Sequence, residues 1–361
     1  MNAPFVHAPF SNTGPTLRLA DLSADAPRIA AFLADHPGAT PFHSPEWLAA
    51  VEAGTGNKAL ALLAERKGAL TAYLPLSEVH SPLFGRMLAS TGFAVGGGLL
   101  VAEGTDPAPI LASAAELALR RSCPAIELRG GTLPEPSAQW HIKTEIHAGF
   151  ITPLGADDEA QLLAIPRKQR AEVRKGLEAA LTITTGTAPA DRAAHYAVYA
   201  QSVRNLGTPV FPRALFGAVL DRFADAADIL TVWHGETPVA SVLSLYHRGA
   251  VMPYWGGGTR AARPLRANDR MYFELMRHAR ARGATRFDFG RSKTNSGAYH
   301  FKRNWGFTPE PLAYAAWTAP GSPARDADPT SAKHSARIAA WQRLPIALAN
   351  LLGPVIARGL G

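Results

Sequence analysis

With 361 residues, 47% of them hydrophobic, the chain is long enough to bury more than one core. Its 37 basic against 29 acidic residues give a formal charge of +8, which favours anionic partners: nucleic acid, phosphorylated substrates, carrier proteins or acidic lipid. The single cysteine, Cys123, excludes a disulfide framework and a thiolate metal cluster; standing before Pro124 and an apolar strand, it reads as a buried structural thiol.

Residues 1–15 carry neither a basic start nor a long apolar run, so they read as a disordered N-terminus rather than a secretory signal, and a cytoplasmic protein is the default expectation. A first unit is expected over 16–160. Within it, ALALLAERKGALTAYLPLSEVH (59–80) sets two apolar runs around a charged turn, the pattern of a hairpin. A further strand-like run leads to Gly96-Gly97-Gly98. PAPILASAAELALRRS then has a proline near its start and arginines in its last turn, as a helix does, and AIELRGG at 125–131 reads as a short strand.

A second unit, 161–318, opens on the basic helix pattern IPRKQRAEVRKGLEAAL, with Arg167, Lys168, Arg170, Arg174 and Lys175. Two more helix patterns follow, separated by Gly207-Thr208-Pro209. The order of the first unit then returns: the hairpin ILTVWHGETPVASVLSLYHRG, the strand AVMPYWGGG ending in Gly256-Gly257-Gly258, the helix NDRMYFELMRHARARG, and the strand RFDFGRS. Two copies of one α/β unit are therefore expected. Residues 319–335 read as a linker. The tail, 336–361, holds an uncharged run from Leu344 to Ile356 between Arg343 and Arg358, too short to span a bilayer and broken by Pro345, Gly353 and Pro354. It is either an amphipathic element at a membrane interface or a helix packed on the protein's own core.

Taken together, residues 250–307 resemble the second half of the GNAT acyltransferase fold: strand, anion-binding turn, long helix, strand, short helix and a Gly-Phe pair. The resemblance extends over roughly residues 40–318, and the duplication narrows it to FemAB-related and BioF2-like acyltransferases. GTPVFP, FDFGRSK, GAYHFKRNWGF and the apolar tail are similar to FemAB-like proteins found beside PEP-CTERM and exopolysaccharide systems, and to bacterial ceramide-synthase-type N-acyltransferases. The fold implied is α/β, two tandem GNAT-like domains with a C-terminal amphipathic tail. One departure stands out. Where the family cradles coenzyme A in a glycine-rich turn, this chain has RPLRAND (263–269), with no glycine, a proline that removes a donor, and Asp269 adding negative charge. A donor on a larger carrier, acyl carrier protein or aminoacyl-tRNA, suits this better than free acyl-CoA.

The reaction implied is attack of an amine on an activated acyl carbon, with an acyl thioester as co-substrate and no permanently bound cofactor. No Gly-x-Ser-x-Gly elbow offers a covalent route, and the histidines show no metal-ligand spacing. For proton handling the candidates are His300, otherwise an exposed helix residue, and Asp288, otherwise the solvated face of a strand. Arg291 and Lys293 follow a strand end, where open α/β sheets bind ligands, and Arg291 is the expected anion binder. Tyr254, Lys302 and Asp269 complete the substrate-binding candidates, with Arg303 beside Lys302. Of Tyr254 and Trp255, one belongs to the core and the other lines a channel. Arg167, Lys168, Arg170 and Arg174 are expected to meet a carrier or lipid headgroup, or else to be a solvated face.

Three functions are compatible with these residues. The first is N-acylation of an amine-bearing membrane lipid at the inner face of the membrane, such as a long-chain base converted to a ceramide; it predicts an apolar tunnel. The second is a Fem-type transfer from aminoacyl-tRNA to a peptidoglycan or exopolysaccharide precursor, which predicts a basic groove. The third is a non-catalytic lipid-binding scaffold.

Overall fold

The computed structural model describes residues 14–323 and 335–361; the N-terminal residues before 14 and most of the expected linker lie outside the described residues. The first half runs β1 (Thr16–Leu19), α1 (Ala26–Asp35), α2 (Pro45–Thr55), β2 (Lys58–Arg66), β3 (Ala69–Ser81), β4 (Gly85–Ser90), β5 (Leu100–Val101), α3 (Ala108–Arg120), β6 (Ala125–Arg129), β7 (Trp140–Gly149) and β8 (Ile151–Pro153). The second runs α4 (Asp158–Ala164), α5 (Arg167–Glu178), β9 (Thr182–Gly186), α6 (Pro189–Leu206), α7 (Arg213–Phe223), β10 (Ala227–His234), β11 (Thr237–His247), β12 (Ala250–Gly258), α8 (Ala267–Ala281), β13 (Arg286–Asp288), β14 (Ser292–Lys293), α9 (Gly297–Asn304) and β15 (Glu310–Thr318), followed by α10 (Ser335–Arg343) and α11 (Ile346–Arg358).

The expected repeat is present. A hairpin, a third antiparallel strand, a helix and a parallel strand occur twice, as β2-β3-β4-α3-β6 and as β10-β11-β12-α8-β13. The two sheets nevertheless trade strands. β15 from the second half inserts between β6 and β7 of the first sheet, whose order is β1-β2-β3-β4-β6-β15-β7-β14. In return β8 leaves the first sheet and pairs with β13 at the edge of the second, ordered β8-β13-β12-β11-β10-β9. Residues 310–318, read from sequence as the end of the second unit, thus lie in the first sheet.

A shared core joins the halves. Trp47, Val51 and Phe93 of the first pack with Tyr199, Leu215, Phe216, Leu243 and Trp255 of the second. α2 crosses α7 so closely that a Cβ at Gly54 would lie 2.3 Å from Leu215 Cα, so only glycine serves at that crossing. Trp255 is in this core and only 5% exposed. Cys123 is buried, as its sequence setting indicated, and burial pushes its thiol pKa up.

The two repeats differ where their parallel strands part. In the first, β4 pairs with β6 over Leu88–Ser90, and residues 91–98 then fold back into the gap. The Arg129 guanidinium donates to Thr91 O (3.0 Å) and Ala94 O (3.2 Å), and a Cβ at Gly98 would sit 1.8 Å from Gly130 O. That opening is plugged by the chain itself. In the second, β12 pairs with β13 only at Ala250 and Val251 before the two diverge.

Candidate active site

The strand exchange assembles a polar cluster beside the divergence of β12 and β13. Side chains alternate across a sheet, so residues two apart, and their cross-strand partners, share a face. Tyr314 on β15 is in register with Arg129 on β6 and Lys143 on β7, and Ala316 with Glu127. A stripe of Glu127, Arg129, Tyr314 and Lys143 results, to which the borrowed strand contributes the tyrosine.

Into this stripe comes the turn after β13. Gly290 has φ +68°, a conformation that a side chain would strain, and its N–H donates to Asp288 Oδ1 at 2.8 Å. The next residue, Arg291, donates to the Tyr314 hydroxyl at 3.0 Å, and that hydroxyl donates to Val95 O at 2.7 Å. The guanidinium also lies over the Tyr314 ring, 5.6 Å from its centroid. Opposite, Tyr254 stands at the register shift of β12 and donates to Phe93 O at 2.6 Å, its ring against Phe42, Trp47 and Trp255. It is held by the interdomain core and borders the cluster, while Trp255 lies within that core.

Lys302 is the most unusual member. It projects from α9, is 8% exposed, and its Nζ donates to Gly290 O (3.1 Å) and Arg291 O (3.0 Å). The Phe150 and Phe289 rings lie 5.3 and 5.4 Å from the nitrogen. Burial depresses its pKa to about 7; Asp288 opposes that shift and Arg291 adds to it. Near neutrality an amine can therefore be present, with its two N–H bonds satisfied by the two carbonyls and a lone pair free. Burial raises the Asp288 carboxyl, against the Gly290 N–H and Lys302. Burial would also raise Glu127, but Arg129, Lys143 and Arg291 outweigh it and hold that carboxyl down at about 2. His147, whose ring centroid lies 5.5 Å from that of Tyr314 in a tilted arrangement, is depressed to about 4 by burial and then by Arg291, and is neutral at pH 7. Arg291 thus sits in the electrostatic reach of Glu127, His147, Tyr254 and Lys302 together.

Other expected site residues are placed elsewhere. His300 is exposed on the outer side of α9 and does not join the cluster, because the helix turns Lys302 inward instead. Arg303 is exposed and lies over the Tyr299 ring. Lys293 is the exception: on β14 it pairs in register with His147, at the border of the cluster, and adds to the depression of that histidine. Asp269 is not presented to a ligand: buried in the first turn of α8, it accepts from Gln169 Nε2 at 2.5 Å. The partner comes from α5, whose inner face, spaced as a helix requires, lies along that turn. Glu172 pairs with Arg266 at 2.6 Å, a Cβ at Gly176 would be 2.9 Å from Arg266 O, and Leu177 O accepts from Arg270 at 2.9 Å. α5 thus packs along the first turn of α8, where an acidic side chain of the chain itself already lies close to the positive end of the helix. Of the basic residues on α5, Arg170 is committed to Leu163 O and Ile165 O at the end of α4, whereas Arg167, Lys168 and Arg174 are exposed.

Glu127, Arg129, His147 and Tyr314 escape sequence reasoning. A usable signal for Glu127 is the repeat itself: AIELRGG aligns with RFDFGRS, setting Glu127 on β6 where Asp288 stands on β13. Two cavities, of 490 and 630 Å³, lie away from the cluster and border neither Arg291 nor Lys302. The first is lined by charged residues of α4 and α8 and the second lies between α1 and α7, so neither is the expected apolar tunnel.

Residues 167–303 match the acetyltransferase (GNAT) domain family. The fold is that of two tandem GNAT-like domains, and the family match falls within the second. Among solved structures, FemX is similar over 83% of this chain and 96% of its own, with 16% identity and a TM-score of 0.63. A tandem GNAT protein from the clavulanic acid biosynthesis pathway is similar over 85% of this chain and all of its own, with 13% identity and a TM-score of 0.55. The C-terminal domain of a proposed lysylphosphatidylglycerol synthetase from Agrobacterium fabrum covers 82% of this chain and 92% of its own, with 14% identity and a TM-score of 0.54. No curated protein matches the chain by sequence. At these identities the likeness is one of fold, and it extends across both GNAT domains.

Proposed function

We propose that the protein joins an activated acyl group, presented on a carrier, to the amine of a membrane lipid, forming an amide at the interdomain cluster around Arg291 and Lys302. The observation that carries this reading is a buried lysine, its nitrogen held by Gly290 O and Arg291 O and its pKa lowered by burial, at the divergence of β12 and β13 in a GNAT-like sheet. The incoming amine nitrogen bonds to the acyl carbon, the bond from that carbon to the carrier's sulfur breaks with its electron pair leaving on the carrier as a thiolate, and the amine's proton passes to neutral Lys302 Nζ. Arg291 stabilises the oxyanion or an anionic group of the substrate. The first turn of α8, packed against α5 and carrying the buried Asp269, supports a donor held by something larger than a free coenzyme A pyrophosphate, with acyl carrier protein the first candidate. A long-chain base acylated to a ceramide is the version we favour.

The test is lipid mass spectrometry of cells with and without the gene. Loss of an N-acylated lipid, with its free amine accumulating, is expected. An unchanged lipid profile, with altered peptidoglycan or exopolysaccharide, would replace this reading by the aminoacyl-tRNA-dependent one, toward which the likenesses to FemX and to a lysylphosphatidylglycerol synthetase domain incline.

A further inference from the structure

α11 is built inside out. Its small residues Ala349, Gly353 and Ala357, four apart and so on one stripe, are buried against the body. Gly353 packs so tightly that a Cβ there would lie 2.9 Å from Val210 N. The large apolar residues of the same helix face outward: Leu351 is 70% exposed, Val355 69%, and Leu348 and Leu352 are exposed beside them. A helix recruited only to fill the core would bury its leucines and expose its alanines. No helix of the described residues is long and apolar enough to cross a membrane, and α11 at about 1.5 Å per residue spans only about 20 Å.

Exposed leucines also stand near both ends of the helix. At the C-terminal end Asn57 donates to Arg358 O at 3.1 Å, and a Cβ at Gly359 would meet Ser81 and Phe84, next to the exposed Leu83 at the tip of the β3–β4 turn. At the other end Gln342 donates to Asn205 O at 3.2 Å, next to the exposed Leu206. Through Arg358 O on Asn57 and Gly353 on Val210, α11 is fixed to both halves of the molecule. Charge selects the occupant. From 335 to 361 the chain carries Arg337, Arg343 and Arg358 and no aspartate or glutamate, and the exposed Arg343 and Arg358 stand at the two ends of the apolar run. Leucines bounded by cations, without an acidic residue, match the boundary between acyl chains and anionic headgroups.

We propose that the outward face of α11, with Leu83 and Leu206 flanking it, docks the protein in plane on an anionic lipid bilayer. This surface does not depend on the reaction proposed above: a chain inactive in every transfer assay would still bind vesicles, so the two ideas fail separately. The experiment is co-sedimentation of the full chain with vesicles of phosphatidylglycerol and phosphatidylethanolamine, and with vesicles of phosphatidylcholine alone. The chain is expected to bind the anionic vesicles. The double variant Leu351→Asp, Val355→Asp is expected to lose at least about tenfold in affinity, since both sites face water in the free protein and the introduced charges oppose insertion. Its thermal unfolding should match that of the wild type, and Leu163→Asp, on the exposed side of α4, should leave vesicle binding unchanged. Three results would overturn the proposal: no binding to anionic vesicles, equal binding to phosphatidylcholine, or a lipid-free dimer that the double variant disperses.

Discussion

Replacing Lys302 by methionine keeps the apolar stem and removes the buried nitrogen. Burial lowers the lysine pKa from 10.5 to about 7 in the folded chain. At about 1.4 kcal/mol per pH unit, folding the ammonium form therefore costs on the order of 5 kcal/mol relative to the neutral amine. Below pH 7 the group is charged in both folded and unfolded states, so this cost is present in full. Between 7 and 10.5 the unfolded chain binds more protons than the folded one, and stability rises with pH. Above 10.5 the cost is gone. Wild type is thus expected to gain about 2 kcal/mol on Lys302→Met between pH 7 and pH 9. Urea unfolding of both proteins at these two pH values, compared through midpoint and slope, reads the difference directly. In transfer assays the wild-type rate should climb through pH 7 as Nζ deprotonates and then level, while the variant is slow and lacks that rise. A difference in stability that stays constant from pH 7 to pH 9 would refute the buried-ammonium argument and remove the basis for Lys302 as the proton acceptor.

Arg291→Ala should abolish transfer, by about a hundredfold or more, while leaving urea stability within about 1 kcal/mol, because the Tyr314 hydroxyl keeps its bond to Val95 O; unchanged activity would show that the guanidinium does not meet the substrate. Tyr314→Phe leaves the Val95 carbonyl unpaired and frees Arg291, so urea unfolding should register a loss of about 1–3 kcal/mol together with slower transfer. Gly98→Ala drives a methyl into Gly130 O and should prevent recovery of soluble, folded protein, whereas Gly217→Ala, at an open position inside α7, should be neutral or raise the melting temperature slightly.

Sequence legibility followed locality. Hydrophobic alternation and turn residues exposed the repeated unit, because each strand and helix carries its own period, and Arg291 could be placed at a strand end for the same reason. The exchange of β8 and β15 left no such trace. The pattern of β15, EPLAYAAWT, suits a buried strand in either sheet, and nothing local says that it crosses to β6. With that crossing went Tyr314, Glu127 and Arg129 as site residues, since their meeting depends on which strands are neighbours. His300 and Lys302 illustrate a finer limit. They are two apart on a helix of only eight residues, where a small rotation decides which faces inward, and histidine chemistry drew attention to the one that faces out. The α11 face was undecidable for a related reason: an apolar run does not reveal that its alanines and glycine, rather than its leucines, make the contact.

The duplicated positions show how two copies of one unit diverged in role. Glu127 and Asp288 occupy the same place on β6 and β13, yet their surroundings shift the two carboxyls in opposite directions. Glu127 has Arg129 two residues on, with Nε 2.7 Å from its carboxylate, and stays ionised. Asp288 has Gly290 at the corresponding site, so its carboxylate receives a backbone N–H in place of a guanidinium, and burial raises its pKa. The change from arginine to glycine also removes from the second copy the side chain that holds the loop in the first. Arg129 ties the 91–98 loop into the opening of the first copy, whereas Gly290 gives the chain a left-handed turn that carries Arg291 out of β13 and offers its carbonyl to Lys302. One copy became a closed wall bearing fixed charges. The other kept an open divergence with a titratable lysine at its edge. Neither makes the site alone, because the wall needs β15 from the second copy to place Tyr314 beneath Arg291.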